Sequence, residues 1–303
     1  MRKSYLKYLL SLLLFGSNGI VASHIILSSY EIVFLRTLIG SIFLIFIFLF
    51  SKQKLQALEN KKDALYLVAS GISTGLCWLF LYQAYTEIGV SLATLACYCG
   101  PIIVIMLSPL IFNESLNIYK ISGFIIVFTG MIFVNGNELS QAGMSFGLIC
   151  GILSAITYCL MVIFAKRVKT INGLEYSLIQ LSSSFLIVAI FLGLKQGFYI
   201  PKLTENIFPV LFLGVINTGI GCYFYFSSIK ELPAGTVAIC GYLEPLSALF
   251  FSAIFLNERL SFIQIIGAIF IIGGAALAEL SKYLKKNKSE VETEESSQLS
   301  NNE

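Results

Sequence analysis

Long apolar runs, separated by short polar connections, make up most of this chain. The first run covers residues 1–23, and nine more are centred near residues 40, 75, 101, 127, 155, 185, 218, 245 and 270. Each is about 17–22 residues long, and at 1.5 Å per helical residue this length crosses a hydrocarbon core of about 30 Å. Although the first run has the basic, apolar and small-residue order of a signal peptide, we interpret it as a retained helix. The pattern therefore predicts an all-α integral membrane fold with ten transmembrane helices.

The run from Gly235 to Leu260 has a counterpart in the run from Ser91 to Leu116. A shift of 144 residues superposes residue types that are uncommon in lipid. These are Tyr98 on Tyr242, Pro101 on Pro245, Asn113 and Glu114 on Asn257 and Glu258, Gly123 on Gly267, and Gly130 on Gly274. The agreement indicates an internal repeat.

Each half of the chain holds five runs, and an odd number of spans requires the second half to be inverted in the membrane. We predict two inverted five-helix repeats, at residues 1–140 and 141–281. The segment 282–303 is acidic and polar with nothing to bury, so we expect a disordered cytoplasmic tail. Inverted repeats with interrupted helices at corresponding positions are typical of transporters whose binding site lies at the bilayer midplane.

The basic residues indicate the orientation. With a cytoplasmic N-terminus, sixteen Lys and Arg residues fall in or beside the inner connections and three in the outer ones. Because basic residues favour the cytoplasmic side, we expect a multi-pass protein of the plasma membrane with both termini in the cytoplasm.

Composition and missing motifs limit the classes of function and partner that we expect. Apolar residues make up 57% and charged residues 12% of the chain, against about 25% charged in soluble domains, so the lipid bilayer is the main expected partner. A net charge of +3 gives no reason to expect nucleic acid, and we expect a monomer or a weak homodimer. Motifs for metal-dependent, nucleotide-dependent or serine-nucleophile chemistry are missing from the sequence, so we expect neither an enzyme nor a cofactor. The seven cysteines have no metal-ligand spacing and are interpreted as small packing residues.

Glu244 is the most informative candidate. A carboxylate near the bilayer centre costs about 2.5–3.5 kcal/mol on insertion scales, so it needs a polar cavity or a partner. It is expected to bind a substrate ammonium or to carry a proton, and the alternative is a protonated acid bonded to backbone freed by Pro245. Pro245 and its repeat counterpart Pro101 are predicted hinges.

Arg36 is the one cation within a predicted span, and its repeat counterpart is Gln180. An arginine there can bind a carboxylate through two parallel hydrogen bonds. The alternatives are an ion pair with Glu31 and a side chain that extends to the membrane surface.

Aromatic and amide side chains supply further candidates for the wall of a substrate cavity, with core packing as the alternative. The aromatic set is Trp78, Tyr82, Tyr85, Tyr98, Tyr223, Tyr225 and Tyr242, and the amide set is Asn18, Gln83 and Asn217.

Several short motifs carry a resemblance to a known family. They are Phe15-Gly-Ser-Asn18, Leu35-Arg36, Phe112-Asn-Glu-Ser-Leu116, Leu243-Glu-Pro245 and Leu256-Asn-Glu-Arg-Leu260. This pattern resembles the drug/metabolite transporter superfamily, and within it the ten-span EamA-type members. The chain departs from the family at Phe15 and Tyr158, where tryptophan is usual, and at Ser23, where lysine is common.

The resemblance implies a secondary transporter that moves a small metabolite by alternating access. An amino acid, an amine or a carboxylate is the expected substrate, export the expected direction and a proton a possible coupling ion. The alternative is a membrane subunit or receptor of the same fold that does not itself transport.

Overall fold

The computed structural model describes residues 2–51, 53, 55–88, 90–113, 117–135, 146–197, 207–255 and 261–277. The regular structure of this part is helical. Its α-helices are α1 (Arg2–Gly16), α2 (Asn18–Ser23), α3 (Ser29–Phe50), α4 (Lys61–Ile88), α5 (Val90–Cys97), α6 (Cys99–Phe112), α7 (Ile118–Asn135), α8 (Phe146–Arg167), α9 (Gly173–Gln196), α10 (Ile207–Leu211), α11 (Gly221–Ile229), α12 (Ala234–Cys240), α13 (Leu243–Phe255) and α14 (Phe262–Leu277). A π-helical segment, Phe212–Ile220, joins α10 to α11, and a single 3₁₀ turn, Gln56–Leu58, precedes α4.

Seven helical stretches of the described chain are long and apolar enough to cross a membrane. They are Arg2–Ser23, Ser29–Phe50, Lys61–Ile88, Phe146–Arg167, Gly173–Lys195, Ile207–Ile229 and Ala234–Phe255. Three shorter apolar helices, Cys99–Phe112, Ile118–Phe133 and Phe262–Leu277, lie where the fourth, fifth and tenth spans are predicted. The all-helical membrane fold is therefore confirmed, and the ten-span inverted repeat stays a prediction. The predicted tail, 282–303, residues 114–116 of the first Asn-Glu motif and the whole second motif, 256–260, lie outside the described residues.

Large apolar side chains cover the outside of the bundle. Leu110, Leu194 and Phe208 are each more than four-fifths exposed. Soluble proteins rarely leave wide apolar surfaces in water, whereas lipid tails solvate them. Polar residues such as Ser70, Gln180 and Asn217 lie instead in the interior, as expected for a multi-pass membrane protein.

The predicted helix interruptions exist, and the structure corrects their position. The sequence indicates a break beside Glu244, but the chain leaves the helix earlier, at Gly241 and Tyr242, and Glu244 lies in the first turn of α13. Pro245 has no N–H to give the Gly241 carbonyl, which accepts from the Glu244 amide at 3.1 Å instead. Proline is tolerated in a first helical turn because amides there have no intrahelical acceptor, so the helix ends before the proline and restarts around it.

The equivalent arrangement occurs 144 residues earlier. Tyr98 separates α5 from α6, and Pro101 is the third residue of α6. Both interruptions therefore lie three residues before a proline.

Glycines allow α7 and α14 to pack with their backbones close together. An added Cβ at Gly130 would overlap the carbonyl oxygen of Gly267, and one at Gly274 would overlap that of Gly123. The contact is reciprocal, because Gly130 and Gly274 are repeat counterparts, and so are Gly123 and Gly267. Small residues commonly permit such close helix approach in membranes.

Three connections meet at one end of the bundle, and we call residues 55–60, 168–172 and 230–233 the loop cluster. Asp63 Oδ2 accepts hydrogen bonds from the Lys169 amide at 2.8 Å and from the Thr170 amide and hydroxyl, both at 2.7 Å. Glu175 accepts from the amides of Gln56 and Ala57 at 3.1 and 2.8 Å.

Lys230 adds a cation to the loop cluster. Its Nζ donates to the carbonyls of Lys169 and Ile171 at 2.7 and 3.1 Å and to Asn172 Oδ1. Burial among these partners lowers the pKa of Lys230 below its usual range, an effect that the nearby Asp63 carboxylate opposes. Charged side chains thus tie α3–α4, α8–α9 and α11–α12 together at this end.

Candidate functional site

Glu244 lies inside the bundle, next to the interruption between α12 and α13. Its carboxylate is deep within the protein, yet the side chain is only half-buried. Tyr98, at the other interruption, lies within electrostatic range of this carboxylate, so the predicted pair of breaks lies near one acid.

Tyrosines from five helical segments surround Glu244. Those within electrostatic range of the carboxylate are Tyr8, Tyr85, Tyr98, Tyr158 and Tyr225. The hydroxyls of Tyr158 and Tyr225 are 3.5 Å apart, and the Tyr225 ring lies 5.4 Å from Tyr8 and 5.7 Å from Phe15. Phenolic rings present a hydroxyl for hydrogen bonding and a negative face for a cation. The site therefore combines one carboxylate with an aromatic wall.

Tyr8 and Tyr158 are site residues that sequence reasoning missed. In the sequence, Tyr8 lies in the basic N-terminal segment, which gives no sign of a binding site. Tyr158 is distinguished only by its difference from the family's tryptophan. In this chain Tyr158 places an aromatic ring with a hydroxyl in the aromatic wall.

Arg36 is 5% exposed and lies within electrostatic range of Glu244. Its Nε donates to Thr218 Oγ1 at 3.0 Å, and its guanidinium carbon lies 5.1 Å from the centre of the Trp78 ring. The buried position rules out extension to the membrane surface, and the Glu31 carboxylate accepts hydrogen bonds from the Ser28 amide and hydroxyl at 2.8 and 2.6 Å. Arg36 is thus a buried cation stacked on an indole, close to the acid.

The π-helical segment positions Arg36's partner and one predicted amide. Thr218 Oγ1 donates to the carbonyl of Leu213, five residues earlier, at 2.8 Å, and π-helical segments frequently occur at functional sites. Asn217 is fully buried, and its Nδ2 lies 3.0 Å from the Leu14 carbonyl and 2.9 Å from Asn18 Oδ1. The structure therefore brings Asn18 and Asn217 together where α1 gives way to α2.

Asn217 also leaves one polar atom without a partner. Within the described residues, its Oδ1 is buried and accepts no hydrogen bond. Unpaired buried polar atoms are uncommon and often mark functional positions.

Five other predicted candidates have different surroundings. Gln180 is buried between α4 and α9, with Nε2 donating to Ser70 Oγ at 2.6 Å and to Thr74 Oγ1 at 3.3 Å. Gln83 accepts from the Tyr30 hydroxyl and donates to Glu87 at 2.9 Å.

The three remaining aromatics have other partners. Tyr82 packs against Tyr85, with ring centres 5.2 Å apart. Tyr223 has the Lys7 ammonium 5.1 Å from its ring centre. Tyr242 is fully buried and packs against Tyr98.

Comparisons with known proteins agree with this architecture. The EamA-like transporter family matches residues 2–136 and, again, residues 145–280. The uncharacterized transporter YxxF of Bacillus subtilis (strain 168) is 28% identical over 286 residues, covering 93% of this chain and 91% of the relative. An uncharacterized transporter of Helicobacter pylori (strain J99) is 26% identical over 273 residues, covering 86% of this chain and 88% of the relative.

One solved structure, described only as the crystal structure of a protein, shares the fold. It aligns with a TM-score of 0.76 and 18% identity over 91% of this chain and 97% of its own. With both halves matched by one family and the fold shared along the chain, this protein belongs to the EamA-like transporter family.

Proposed function

We propose that this protein is a secondary transporter that carries a small zwitterionic metabolite, most simply an amino acid, across the plasma membrane by alternating access, with export as its direction. The transporter names of its relatives support the general function. The observation that carries the substrate class is the presence of one carboxylate, Glu244, and one buried guanidinium, Arg36, in electrostatic range of each other within one aromatic site.

The two charges suit a substrate that carries both signs. Arg36 uses Nε for Thr218, and no hydrogen bond from its terminal nitrogens to a described residue is found. A substrate carboxylate would find those donors in the paired geometry that arginine favours. A substrate ammonium would find the Glu244 carboxylate and the tyrosine rings. A purely anionic or purely cationic substrate would leave one buried charge uncompensated, which is costly.

The helix interruptions supply the moving parts of this mechanism. Glu244 lies in the first turn after one break, and Tyr98, which is within electrostatic range of it, lies at the other. A change of angle at either break moves the acid and this tyrosine relative to each other. Protonation of Glu244 would remove its charge, so proton binding and ammonium binding compete for the same group, which is the basis we propose for proton coupling.

The experiment is flux measured in vesicles reconstituted with the purified protein under an imposed pH gradient. A thermal-shift screen with amino acids, amines and carboxylates first identifies a ligand. We expect amino acids to stabilise the protein, while amines and carboxylates alone do not. Glu244→Gln keeps the side-chain shape and removes the charge, so it should fold and lose proton-driven flux. Glu59→Gln, an exposed acid of the loop cluster, is the matched control and should retain it. Wild-type flux in Glu244→Gln would contradict the proposal.

Arg36 tests the substrate carboxylate separately. Arg36→Lys keeps the charge and loses the planar donor pair, so we expect at least about tenfold weaker binding of the identified ligand, equal to about 1.4 kcal/mol. Unchanged affinity in Arg36→Lys and in Arg36→Ala would leave the arginine a structural residue.

A further inference from the structure

Three oxygen atoms converge on the Asn217 amide where α1 ends, and the oxygen of the amide itself is left unpaired. Asn217 Nδ2 lies 3.0 Å from the Leu14 carbonyl oxygen and 2.9 Å from both Ser17 Oγ and Asn18 Oδ1. An amide nitrogen carries two hydrogens, so it cannot donate fully to three acceptors. Ser17 cannot supply the difference, because its hydroxyl donates to the Leu14 carbonyl at 2.7 Å. Asn217 Oδ1 is buried and accepts from no described residue, so this cluster has more acceptors than donors.

The backbone at this point adds to the negative potential. Leu14 lies in the last turn of α1, and Ser17 alone separates α1 from α2. The carbonyl end of a helix carries a partial negative charge. In transporters, helix C-terminal ends and irregular backbone carbonyls coordinate Na⁺. No residue of α2 is buried, and an added Cβ at Gly19 would meet nothing within 4 Å, so the α2 side of the cluster is loosely packed and can adjust.

We propose that Leu14, Ser17, Asn18 and Asn217 form a binding site for an alkali-metal cation, sodium or potassium. In this structure the Asn217 N–H groups point at the oxygens that would bind the ion. A half-turn of the amide would exchange Nδ2 and Oδ1, and four oxygens would then face one another. Oxygens repel one another unless a hydrogen or a cation lies between them, so the ion takes over the role of the amide hydrogens.

The charges favour a monovalent ion. All four ligands are neutral, whereas Ca²⁺ and Mg²⁺ sites normally include carboxylates, and an uncompensated charge within a bilayer is costly. Arg36 donates to Thr218, the residue after Asn217, and its positive charge opposes any cation. We therefore expect binding in the millimolar range.

Thermal unfolding of the purified protein in detergent tests the site without any substrate. Choline chloride is replaced stepwise by sodium chloride or by potassium chloride at constant ionic strength. Because a ligand that binds only the folded state stabilises it, at least one of the two ions should raise the melting temperature saturably by at least about 2 °C. The separate titrations identify which ion binds. Equal melting temperatures in all three salts would overturn the site, whatever the protein transports.

Two variants and a matched control locate the ion. Asn217→Ala and Asn18→Ala each remove one ligand and should weaken ion binding at least about tenfold. Asn18 is only half-buried, so this variant keeps the test available if Asn217→Ala does not fold. Gln180→Ala is the control, because Gln180 is also a buried amide with an unpaired oxygen, but its Nε2 has just two acceptors among the described residues, Ser70 and Thr74. It should retain the ion dependence. Wild-type ion binding in Asn18→Ala and Asn217→Ala would overturn the assignment of the ligands.

The site is connected to the helix that carries Glu244. Ser247 Oγ lies 2.8 Å from the Glu244 carbonyl oxygen and 3.3 Å from that of Leu12, and an added Cβ at Gly16 would overlap Ser247. An ion that holds the end of α1 therefore acts beside α13.

This consequence rests on the proposed function, and ligand affinity tests it. The ligand identified by the thermal-shift screen should bind at least about fivefold more weakly in choline than in the stabilising ion. Equal affinity in the two salts would overturn the coupling between the ion and the ligand. If no ligand is found in any salt, that result counts against the proposed function, and the melting temperatures still decide the ion site.

Discussion

Tyr242 donates its hydroxyl hydrogen to the backbone carbonyl of Tyr98, the residue 144 positions earlier, at 2.8 Å. Their ring centres are 5.6 Å apart. Each tyrosine stands at a helix interruption, and the sequence shift that defines the repeat superposes one on the other. The two breaks are therefore joined by a hydrogen bond between counterpart residues, and the Tyr98 side chain remains available for Glu244.

We predict that Tyr242→Phe lowers the free energy of unfolding by about 1 kcal/mol, because it removes one buried hydrogen bond and keeps the ring. It should also change flux, because the Tyr98 backbone carbonyl loses its hydrogen bond from Tyr242. Tyr176→Phe is the control, because its hydroxyl donates to the Ala165 carbonyl at 2.8 Å away from the site. Thermal unfolding in detergent should show similar losses for both variants, and vesicle flux should separate them. Equal flux in the two variants would contradict a role for the tyrosine pair in transport.

Pro245→Ala should stabilise the protein and slow its turnover. Alanine supplies the amide that proline lacks, so the Gly241 carbonyl regains a helical partner and the break straightens. The measurements are thermal unfolding and vesicle flux at saturating ligand. A variant that is more stable with unchanged turnover would show that the break is not the hinge.

The adjacent glycines of α14 give a paired test of helix packing. Gly273 has open space around an added Cβ, whereas at Gly274 the Cβ would overlap the Gly123 carbonyl and contact Val127. Alanine improves intrinsic helix propensity by about 1 kcal/mol at either position, so Gly273→Ala should be neutral or stabilising. Gly274→Ala should be destabilising by about 1–3 kcal/mol, as overpacking is. Equal melting temperatures would contradict the close approach of α7 and α14.

Asp63→Ala should destabilise the loop cluster by about 2–3 kcal/mol, because amides of the 168–172 connection lose a charged acceptor. All three of its hydrogen bonds end on Oδ2, so Asp63→Asn, which keeps one acceptor oxygen, should cost less. The control is Glu59→Ala, which changes an exposed acid of the 55–60 connection and should have little effect. Thermal unfolding of the three variants gives the order of their stabilities. If Asp63→Ala were as stable as Glu59→Ala, the hydrogen bonds of Asp63 to the 168–172 connection would not stabilise the protein.

The orientation is tested with single cysteines on a background that lacks the native ones. His24 and Glu59 are both exposed and lie at opposite ends of the predicted second span. His24→Cys should react with an impermeant maleimide added to intact cells, and Glu59→Cys only after the membrane is opened. The reverse pattern would place the loop cluster outside the cell.

Much of the fold was predictable because lipid restricts the choice of structure. Backbone groups in a bilayer must be satisfied within helices, so apolar runs give the helices directly, and Glu244 stands out as a costly residue. The position of the break was less predictable. Proline indicates where a helix cannot continue. Whether the chain bends at the proline or before it depends on which other N–H groups donate to the carbonyls that the proline leaves without a partner.

Only part of the candidate site could be predicted, because its residues come together from distant parts of the chain. The tyrosine wall comes from five segments far apart in sequence, and no local pattern separates Tyr158 from a packing aromatic. The π-helical register that directs Thr218 to Arg36 has no sequence signal in a single chain. Gln180, the counterpart of Arg36, lies between α4 and α9, where Gly71 lets the two helices approach closely.

The reciprocal contact of Gly130 with Gly267 and of Gly274 with Gly123 has a structural consequence. Surfaces that exchange equivalent residues are self-complementary, as at the interface of a symmetric dimer. Under the predicted inverted repeat, the same glycines would let a polypeptide of half this length associate with a second copy of itself in the opposite orientation. Such a symmetric pair would not account for the charged site, because only one half contributes the acid: Glu244 has Gly100 as its counterpart.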